Sequence, residues 1–257
     1  MMQSNLSPAV NSLHFLGKQN PDLWTPLAEG SGQNSHCLST GLTESEMRRL
    51  DSIVVRRRVA KGDTLYRMGD RFANLYTIRY GHFKTHQVSA NGTDQIIDFP
   101  MSGDLLGMDA IDTEQHQCHA VALEDGEINA IPFVRLTALF SEMPLLLRHF
   151  NRVMSREITR EQTSMLLLGS MRAEQRLASF LMDLSARYNA RGYSAHRFQL
   201  RMSRRDIGDY LGLTIESVSR LFSRFKQMEW IDADGHEINL IDLPALRQLT
   251  THEGYLH

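Results

Sequence analysis

The chain has 257 residues, of which 42% are hydrophobic and 23% charged, and this composition is typical of a globular protein and excludes wholesale disorder. No stretch approaches the roughly 20 apolar residues that a membrane-spanning helix needs. The N-terminus lacks a basic and apolar leader, so we expect a cytoplasmic protein with no membrane partner. Its two cysteines, Cys37 and Cys118, exclude a disulfide scaffold.

Charge is unevenly distributed along the chain, although the net charge is only −2. Residues 1–145 carry 12 basic and 17 acidic side chains, residues 146–228 carry 15 and 7, and residues 229–257 carry 1 and 6. The basic middle stretch is a weak indication of contact with phosphates. The alternative is a solvated, arginine-rich helical surface that binds no nucleic acid.

The first 143 residues divide into an arm and a strand-rich region. Residues 1–41 are interrupted by three prolines and are predicted to form a poorly ordered N-terminal arm. Residues 42–143 begin with a short helix that Thr43 caps, with Glu46 placed to complete a capping box. Short strand-like runs follow, separated by glycine turns, and this spacing predicts an antiparallel sandwich or barrel. The turns contain Gly62, Gly69, Gly81, Gly92, Gly103 and Gly126.

Residues 144–170 have the pattern of one long amphipathic helix that begins at Pro144. Its apolar stripe is narrow and close to coiled-coil spacing. We therefore favour pairing with a second copy, as a homodimer, over packing against a neighbouring domain. The predicted dimer interface contains Leu147, Phe150, Met154, Ile158, Glu161, Met165 and Leu168.

Glu161 occupies a position in this stripe where an apolar residue is expected, between Ile158 and Met165. In a parallel pair the two copies of Glu161 would approach each other, and their repulsion would make the dimer marginal. Two alternatives remain open. Arg160 or another arginine of the partner neutralises the acid, or a slightly rotated interface leaves it in water.

Residues 171–257 are predicted to contain a helix-turn-helix, because two amphipathic helices are joined by a short glycine turn. Ser203 caps a helix over residues 204–211, Gly212 makes the turn, and Thr214 caps a second helix that runs to about Met228. A hairpin over residues 231–240 would complete a winged helix. The second helix is expected to bury Val218, Leu221, Phe222 and Phe225 and to expose Glu216, Ser219, Arg220, Ser223 and Lys226.

The exposed side chains suit the major groove of double-stranded DNA. Arg220 can donate bidentately to guanine, Glu216 can accept from cytosine, and Ser219 can contact a neighbouring base. An alternative is a ligand-binding β-roll module whose helix-turn-helix mediates protein contacts. The residues expected to contact the DNA backbone are Ser203, Arg204, Thr214, Ser217 and Lys226.

Over about residues 42–250 the chain resembles the CRP/FNR superfamily of bacterial transcription regulators. Glu216, Ser219 and Arg220 match the base-reading positions of the FNR branch, and Ile215 stands where the cyclic-AMP receptor branch has an arginine. The matching segments are GDTLYRMGD (62–70), LYTIRYGHFK (75–84), SGDLLGMDAI (102–111), MSREI (154–158) and RRDIGDYLGLTIESVSRLFSRF (204–225).

The resemblance implies an α+β protein with an N-terminal antiparallel β-roll of the cyclic-nucleotide-binding kind, a long dimerisation helix and a C-terminal winged helix-turn-helix. It also implies a homodimer that binds an inverted repeat of TTGAT-like half-sites, with RNA polymerase as a partner. The expected role is control of genes in response to oxygen, redox state or related signals. No nucleophile–base pair stands out, so we do not expect an enzyme.

The effectors that the resemblance suggests do not match the residues. The family binds the cyclic phosphate through an Arg-Ser pair and the ribose through a glutamate, where this chain has Cys118, His119 and Met108, so no response to cyclic AMP is expected. The FNR branch binds a [4Fe–4S] cluster through four thiolates. The matching positions here are Ala28, Ser31, Cys37 and Asn129.

We therefore expect no metal and no cofactor. Cys37 and Cys118 remain candidate redox thiols, although reactivity requires an exposed thiol with a low pKa. The histidines beside them could bind a metal or haem, but they have no recognised ligand spacing. Constitutive activity controlled by the amount of protein is a further alternative.

Overall fold

The computed structural model describes residues 38–39, 41–88 and 94–250, with the side chains of Leu166 and Leu167 left aside. Most of the predicted arm, Cys37 and the turn at Gly92 lie outside the described residues. Within them the protein has the predicted α+β architecture: a β-roll, a long helix and a C-terminal helix-turn-helix with a small sheet. No helix of the described residues is both long and apolar enough to cross a bilayer.

The β-roll follows helix α1 (Glu44–Ile53), which begins with the predicted capping box between Thr43 and Glu46. Two four-stranded antiparallel sheets face each other, one in the order β1-β8-β3-β6 and the other in the order β2-β7-β4-β5. The predicted antiparallel sandwich is confirmed. The strands are β1 (Val55–Val59), β2 (Thr64–Tyr66), β3 (Asn74–Tyr80), β4 (Phe83–Val88), β5 (Asp94–Asp98), β6 (Leu105–Leu106), β7 (His119–Ala122) and β8 (Gly126–Pro132).

Three helices follow the roll: α2 (Phe133–Glu142), α3 (Pro144–Ser170) and α4 (Ala173–Ala190). The start of α3 packs with α1 and α2 on a hydrophobic cluster that includes Leu38 and Phe150. Leu38 is fully buried, so the core begins within the stretch that the sequence assigned to the arm. Phe150, predicted as an interface residue, is only 8% exposed, and its ring lies 5.1 Å from that of Phe140, which places it in the core of its own chain.

The C-terminal region contains the two helices of the helix-turn-helix, α5 (Arg204–Leu211) and α6 (Ile215–Gln227). The predicted hairpin consists of β10 (Ile231–Asp234) and β11 (Glu237–Leu240). Sequence reasoning missed β9 (Arg197–Gln199), which pairs with β11 to make a three-stranded wing, and it missed the last helix, α7 (Leu243–Thr250). Both are too short to show a period in the sequence.

The helix-turn-helix packs against the roll of the same chain. One continuous hydrophobic cluster joins Phe99 and its neighbours in the roll to residues of α4, α5 and α6. The ring of Phe99 lies 6.0 Å from that of Phe180 on α4 and 5.3 Å from that of Tyr210 on α5. Contacts between aromatic rings at such distances bury large apolar areas and stabilise one relative orientation.

Candidate nucleic-acid interface

The two helices of the helix-turn-helix begin with well-formed caps. The Ser203 hydroxyl accepts from the amide of Asp206 at 3.1 Å, and the Asp206 carboxylate accepts from the amide of Ser203 at 3.0 Å. Thr214 caps α6 by accepting from the amide of Ser217 at 3.2 Å. Gly212 has φ +63°, the left-handed conformation that the turn requires and that glycine adopts at little cost. These predicted features are confirmed.

Helix α6 presents one polar face to solvent. Val218, Leu221, Phe222 and Phe225 are buried, as predicted from their spacing. Glu216, Ser219 and Arg220 are exposed on the opposite side, within the first half of the helix. A helix with this division of faces can enter a major groove while its apolar side remains in the core.

The three side chains have the hydrogen-bonding character that base recognition needs. The backbone amide of Glu216 and the hydroxyl of Thr214 lower the pKa of Glu216, so its carboxylate is an acceptor at neutral pH. Ser219 donates to the carbonyl of Ile215 at 2.8 Å, which leaves its oxygen able to accept. Among the described residues, the Arg220 guanidinium makes a single hydrogen bond, a long contact of 3.5 Å with the hydroxyl of Ser217. Its donors are therefore available to a ligand.

Two residues predicted to contact the DNA backbone are engaged within the domain. The guanidinium carbon of Arg204 lies 3.5 Å from the centre of the Phe222 ring, a cation–π contact. Lys226 forms an ion pair with Asp232 of the wing at 2.9 Å. Their contact with the DNA backbone stays a prediction, and it would require each cation to exchange its present partner for a phosphate.

Sequence reasoning did not find the contacts that fasten α5 to the roll. Lys84 of β4 donates to the carboxylate of Asp206 at 2.6 Å. Gln95 of β5 donates to the carbonyl of Asp209 at 2.7 Å. The partners are separated by more than one hundred residues, and no local pattern pairs them.

A second set of long-range contacts is the junction cluster, a group of charged residues where the roll, α3 and α4 meet. Arg187 of α4 and Arg191, which follows the last residue of α4, donate to the two carboxylate oxygens of Asp104 at 2.7 and 2.6 Å. Arg160 of α3 donates to Asp98 at 2.6 Å. The cluster consists of Asp98, Asp104, Glu157, Arg160, Asp183, Arg187 and Arg191.

Within the junction cluster Arg187 is buried and the other six residues are partly buried, and the cluster contains one more acid than base. Burial alone would raise the pKa of Asp104, but Arg191 and Arg187 hold it well below its usual range. Burial raises the pKa of Glu157 to about 7, although its ion pair with Arg160 acts in the opposite direction. Burial also raises the pKa of Asp183. The cluster therefore holds its charges in the interior through mutual pairing and partial protonation.

Cys118 and Asn129 both lie in the interior of the roll. Cys118 is 6% exposed, and burial and the neighbouring Asp109 raise the pKa of its thiol, which disfavours the thiolate that redox chemistry requires. Whether Cys118 acts as a redox thiol stays a prediction. The part of the chain that the structure describes contains no group of three histidines, cysteines or acids able to hold a metal ion. Asn129 is buried and donates to the hydroxyl of Thr77 at 3.2 Å.

The stripe of α3 divides into a buried start and an exposed remainder. Leu147, Ile158 and Met165 are 37%, 51% and 72% exposed, and Glu161 is exposed beside them. Met154 and Leu168 are half-buried. Large apolar side chains at helical spacing with this exposure are typical of an interaction surface.

Comparison with known proteins identifies both domains. A family model for a Crp-like helix-turn-helix domain matches residues 175–249, and one for a cyclic nucleotide-binding domain matches residues 56–143. FixK2 from Bradyrhizobium japonicum has a similar structure, with a TM-score of 0.72 and 27% identity, and the match covers 77% of this chain and 98% of that chain.

Curated relatives are similar over most of their length. The transcriptional activator Anr of Pseudomonas protegens is 47% identical over 80% of this chain and 85% of its own. The transcriptional regulatory protein btr of Bordetella pertussis is 44% identical over 85% of this chain and 90% of its own. The fumarate and nitrate reduction regulatory protein of Vibrio cholerae is 42% identical over 83% of this chain and 86% of its own. The chain belongs to the CRP/FNR family of DNA-binding transcription regulators and is not an enzyme.

Proposed function

We propose that this regulator binds, as a homodimer, an inverted repeat of TTGAT-like half-sites and controls transcription in response to oxygen, redox state or related signals. RNA polymerase is the partner through which it would act. The similarity to proteins named anaerobic regulatory protein in Haemophilus influenzae and Pasteurella multocida, each 44% identical, supports the physiological theme. The exposed stripe of α3 supports self-association.

The observation that carries the proposal is the polar face of α6. Glu216, Ser219 and Arg220 lie within two turns of the capped N-terminus and are all exposed. Arg220 reads a guanine in each half-site, Glu216 accepts from a cytosine, and Ser219 contacts a neighbouring base. Ser203, Arg204, Thr214, Ser217 and Lys226 contact the backbone and fix the position of the helix in the groove.

The test is to compare Arg220→Ala with Arg224→Ala in binding experiments at fixed salt. Arg220→Ala should weaken specific binding by about 1–3 kcal/mol and abolish discrimination at one guanine per half-site. Arg224 is the matched control, since it is an exposed arginine in the last turn of the same helix and pairs with Glu174 of α4. Selection from random DNA should return a palindrome; a site without two-fold symmetry would contradict the proposed dimer.

We further propose that neither of the family's effectors acts on this chain. A [4Fe–4S] cluster needs four thiolates, and the chain has two cysteines. At the position of the family's fourth ligand, the amide of Asn129 donates to Thr77 instead. A cyclic phosphate does not fit either, because the amides of Gln117 and Cys118 already donate to Asp109 at 2.7 and 3.3 Å. An anion there would be repelled by this carboxylate.

Purification under anaerobic conditions, followed by an absorption spectrum, an iron and haem assay and a cyclic-AMP titration, tests this part of the proposal. The expected results are no visible absorbance, no stoichiometric metal and no change in DNA affinity with the nucleotide. A broad absorbance near 400 nm with about four irons per chain would contradict it.

A further inference from the structure

Arg176 of α4 joins three elements at the point where the long helix meets the helix-turn-helix. Its guanidinium donates to the carbonyl oxygens of Leu168 at 2.7 Å, Met171 at 3.0 Å and Leu211 at 3.0 Å. Leu168 lies in the last turn of α3, Met171 in the link to α4, and Leu211 at the end of α5. The last carbonyls of a helix lack partners within the helix and carry partial negative charge, so one cation satisfies the ends of two helices.

The local structure around Arg176 accommodates this contact closely. A Cβ atom on Gly212 would lie 3.4 Å from Nη1 of Arg176, an ordinary van der Waals distance, so the turn of the helix-turn-helix lies directly against the guanidinium. A second link lies one turn earlier on α3, where the hydroxyls of Ser164 and Tyr210 are 3.3 Å apart. Helix α5 is thus attached to the end of α3 at two points, independently of the contacts that fasten it to the roll.

We propose that Arg176 is a positioning residue that fixes the angle between the long helix and the helix-turn-helix, and thereby determines which spacing of half-sites the dimer accepts. The inference rests on the proposed homodimer. In a two-fold dimer the distance between recognition helices follows from how each is attached to the dimer axis, so half-site spacing is a geometric property of that attachment. One added base pair moves a half-site by about 3.4 Å along the duplex and rotates it by about 35°.

The experiment measures affinity for duplexes with the half-sites at the preferred spacing and with one base pair inserted or removed. Each change of spacing should lower the DNA affinity of the wild type by about tenfold or more. The same change should lower the affinity of Arg176→Ala by less than about threefold. Discrimination at the guanine that Arg220 reads should remain intact in Arg176→Ala, because the polar face of α6 is unaltered. Arg247→Ala is the control for loss of an exposed arginine and should keep the spacing preference, because Arg247 lies on α7.

Arg176→Lys and Tyr210→Phe keep the test valid if Arg176→Ala folds poorly. A lysine cannot donate in three fixed directions, so Arg176→Lys should relax the spacing preference as well. Tyr210→Phe keeps the ring and removes only the link to Ser164, so it should relax the preference less. If Arg176→Ala and Arg176→Lys each lowered DNA affinity by the same factor at every spacing, the spacing preference would be unchanged. That result would overturn the proposal and leave Arg176 with a stabilising role alone.

The same measurements show separately whether the proposed homodimer or the proposed role of Arg176 is wrong. Sedimentation of the wild type gives its oligomeric state, and a duplex with one half-site gives the affinity of a single helix-turn-helix. A wild type that is monomeric on DNA, or indifferent to spacing, would overturn both proposals. A dimeric wild type with a clear spacing preference that Arg176→Ala retains would overturn only the role of Arg176.

Discussion

The reading face of α6 and the junction cluster contain the same kinds of residues in opposite environments. Arg220 is exposed and its donors are available, whereas the side chain of Arg187 is only 4% exposed and pairs with Asp104 at 2.7 Å. Glu216 is an exposed carboxylate with a lowered pKa, whereas burial raises the pKa of Glu157 to about 7. The residue type therefore does not decide the role; desolvation decides whether a charge binds a ligand or holds two domains together.

The largest expected effect is on stability, from Arg187→Ala in the junction cluster. The substitution leaves Asp104 and Asp98 in the interior with fewer partners, and Arg187 also donates to the carbonyl of Phe99 at 2.9 Å. Removing one partner of a buried ion pair costs about 3–5 kcal/mol in the free energy of unfolding. Denaturant unfolding followed by circular dichroism measures the loss.

Arg220→Ala is the matched control for this comparison, because it also removes one arginine. Its free energy of unfolding should stay within about 0.5 kcal/mol of the wild type, since exposed side chains away from caps contribute little. A loss of less than about 1 kcal/mol for Arg187→Ala would mean that the junction cluster is solvated and that the contrast between the two regions is wrong.

The next largest effect is a dependence of the free energy of unfolding on pH, which we attribute to Glu157. Its pKa is raised from 4.5 to about 7 by burial, so the folded state binds this proton more tightly than the unfolded state does. The contribution of Glu157 to stability is therefore complete below about pH 4.5 and is lost as the pH rises through about 7. Glu157→Gln keeps the shape without the titration. Between pH 5 and pH 8 the free energy of unfolding of the wild type should fall by about 1–3 kcal/mol more than that of this variant.

The comparison of unfolding free energies at several pH values must be made at constant ionic strength, because screening alters exposed pairs more than buried ones. Asp112→Asn serves as the control, since it removes an exposed acid of the roll that belongs to neither the junction cluster nor the proposed dimer surface. A wild type and Glu157→Gln with parallel pH profiles would show that Glu157 titrates normally.

The same two regions show which parts of the molecule the sequence could predict. The caps at Ser203 and Thr214, the turn at Gly212 and the two faces of α6 were predictable because each depends on residues within four positions of one another. The junction cluster was not, since Asp104 and Arg187 are 83 positions apart. Arg160 shows the limit most clearly. Its position suggested a free arginine beside the dimer interface, but it is bound to Asp98 and Glu157.

The ion pairs of Arg160 also bear on Glu161, because neutralisation of Glu161 by Arg160 of the partner was one alternative to repulsion. With Arg160 engaged in its own chain, Glu161 is exposed beside Ile158 and Met165 on the surface proposed for the dimer. Two unit charges about 4 Å apart repel by about 1 kcal/mol in water and by more when partly desolvated. In a parallel pair each Glu161 would therefore weaken association.

Glu161→Ala should strengthen the dimer by about 1 kcal/mol, or roughly fivefold, and should raise DNA affinity without any effector. Ile158→Ala should weaken both, because it removes apolar contact area from the same stripe. Thr159→Ala is the control, since Thr159 is exposed on the same helix but belongs to no part of the stripe. Sedimentation equilibrium gives the dimer constant, and a DNA titration at fixed salt gives the affinity.

If Glu161→Ala left the dimerisation constant unchanged or lowered it, repulsion between the two acids would be excluded. An arginine of the partner, such as Arg156 or Arg152, would then be the expected counterion, and its substitution by alanine should weaken the wild-type dimer but not the Glu161→Ala dimer.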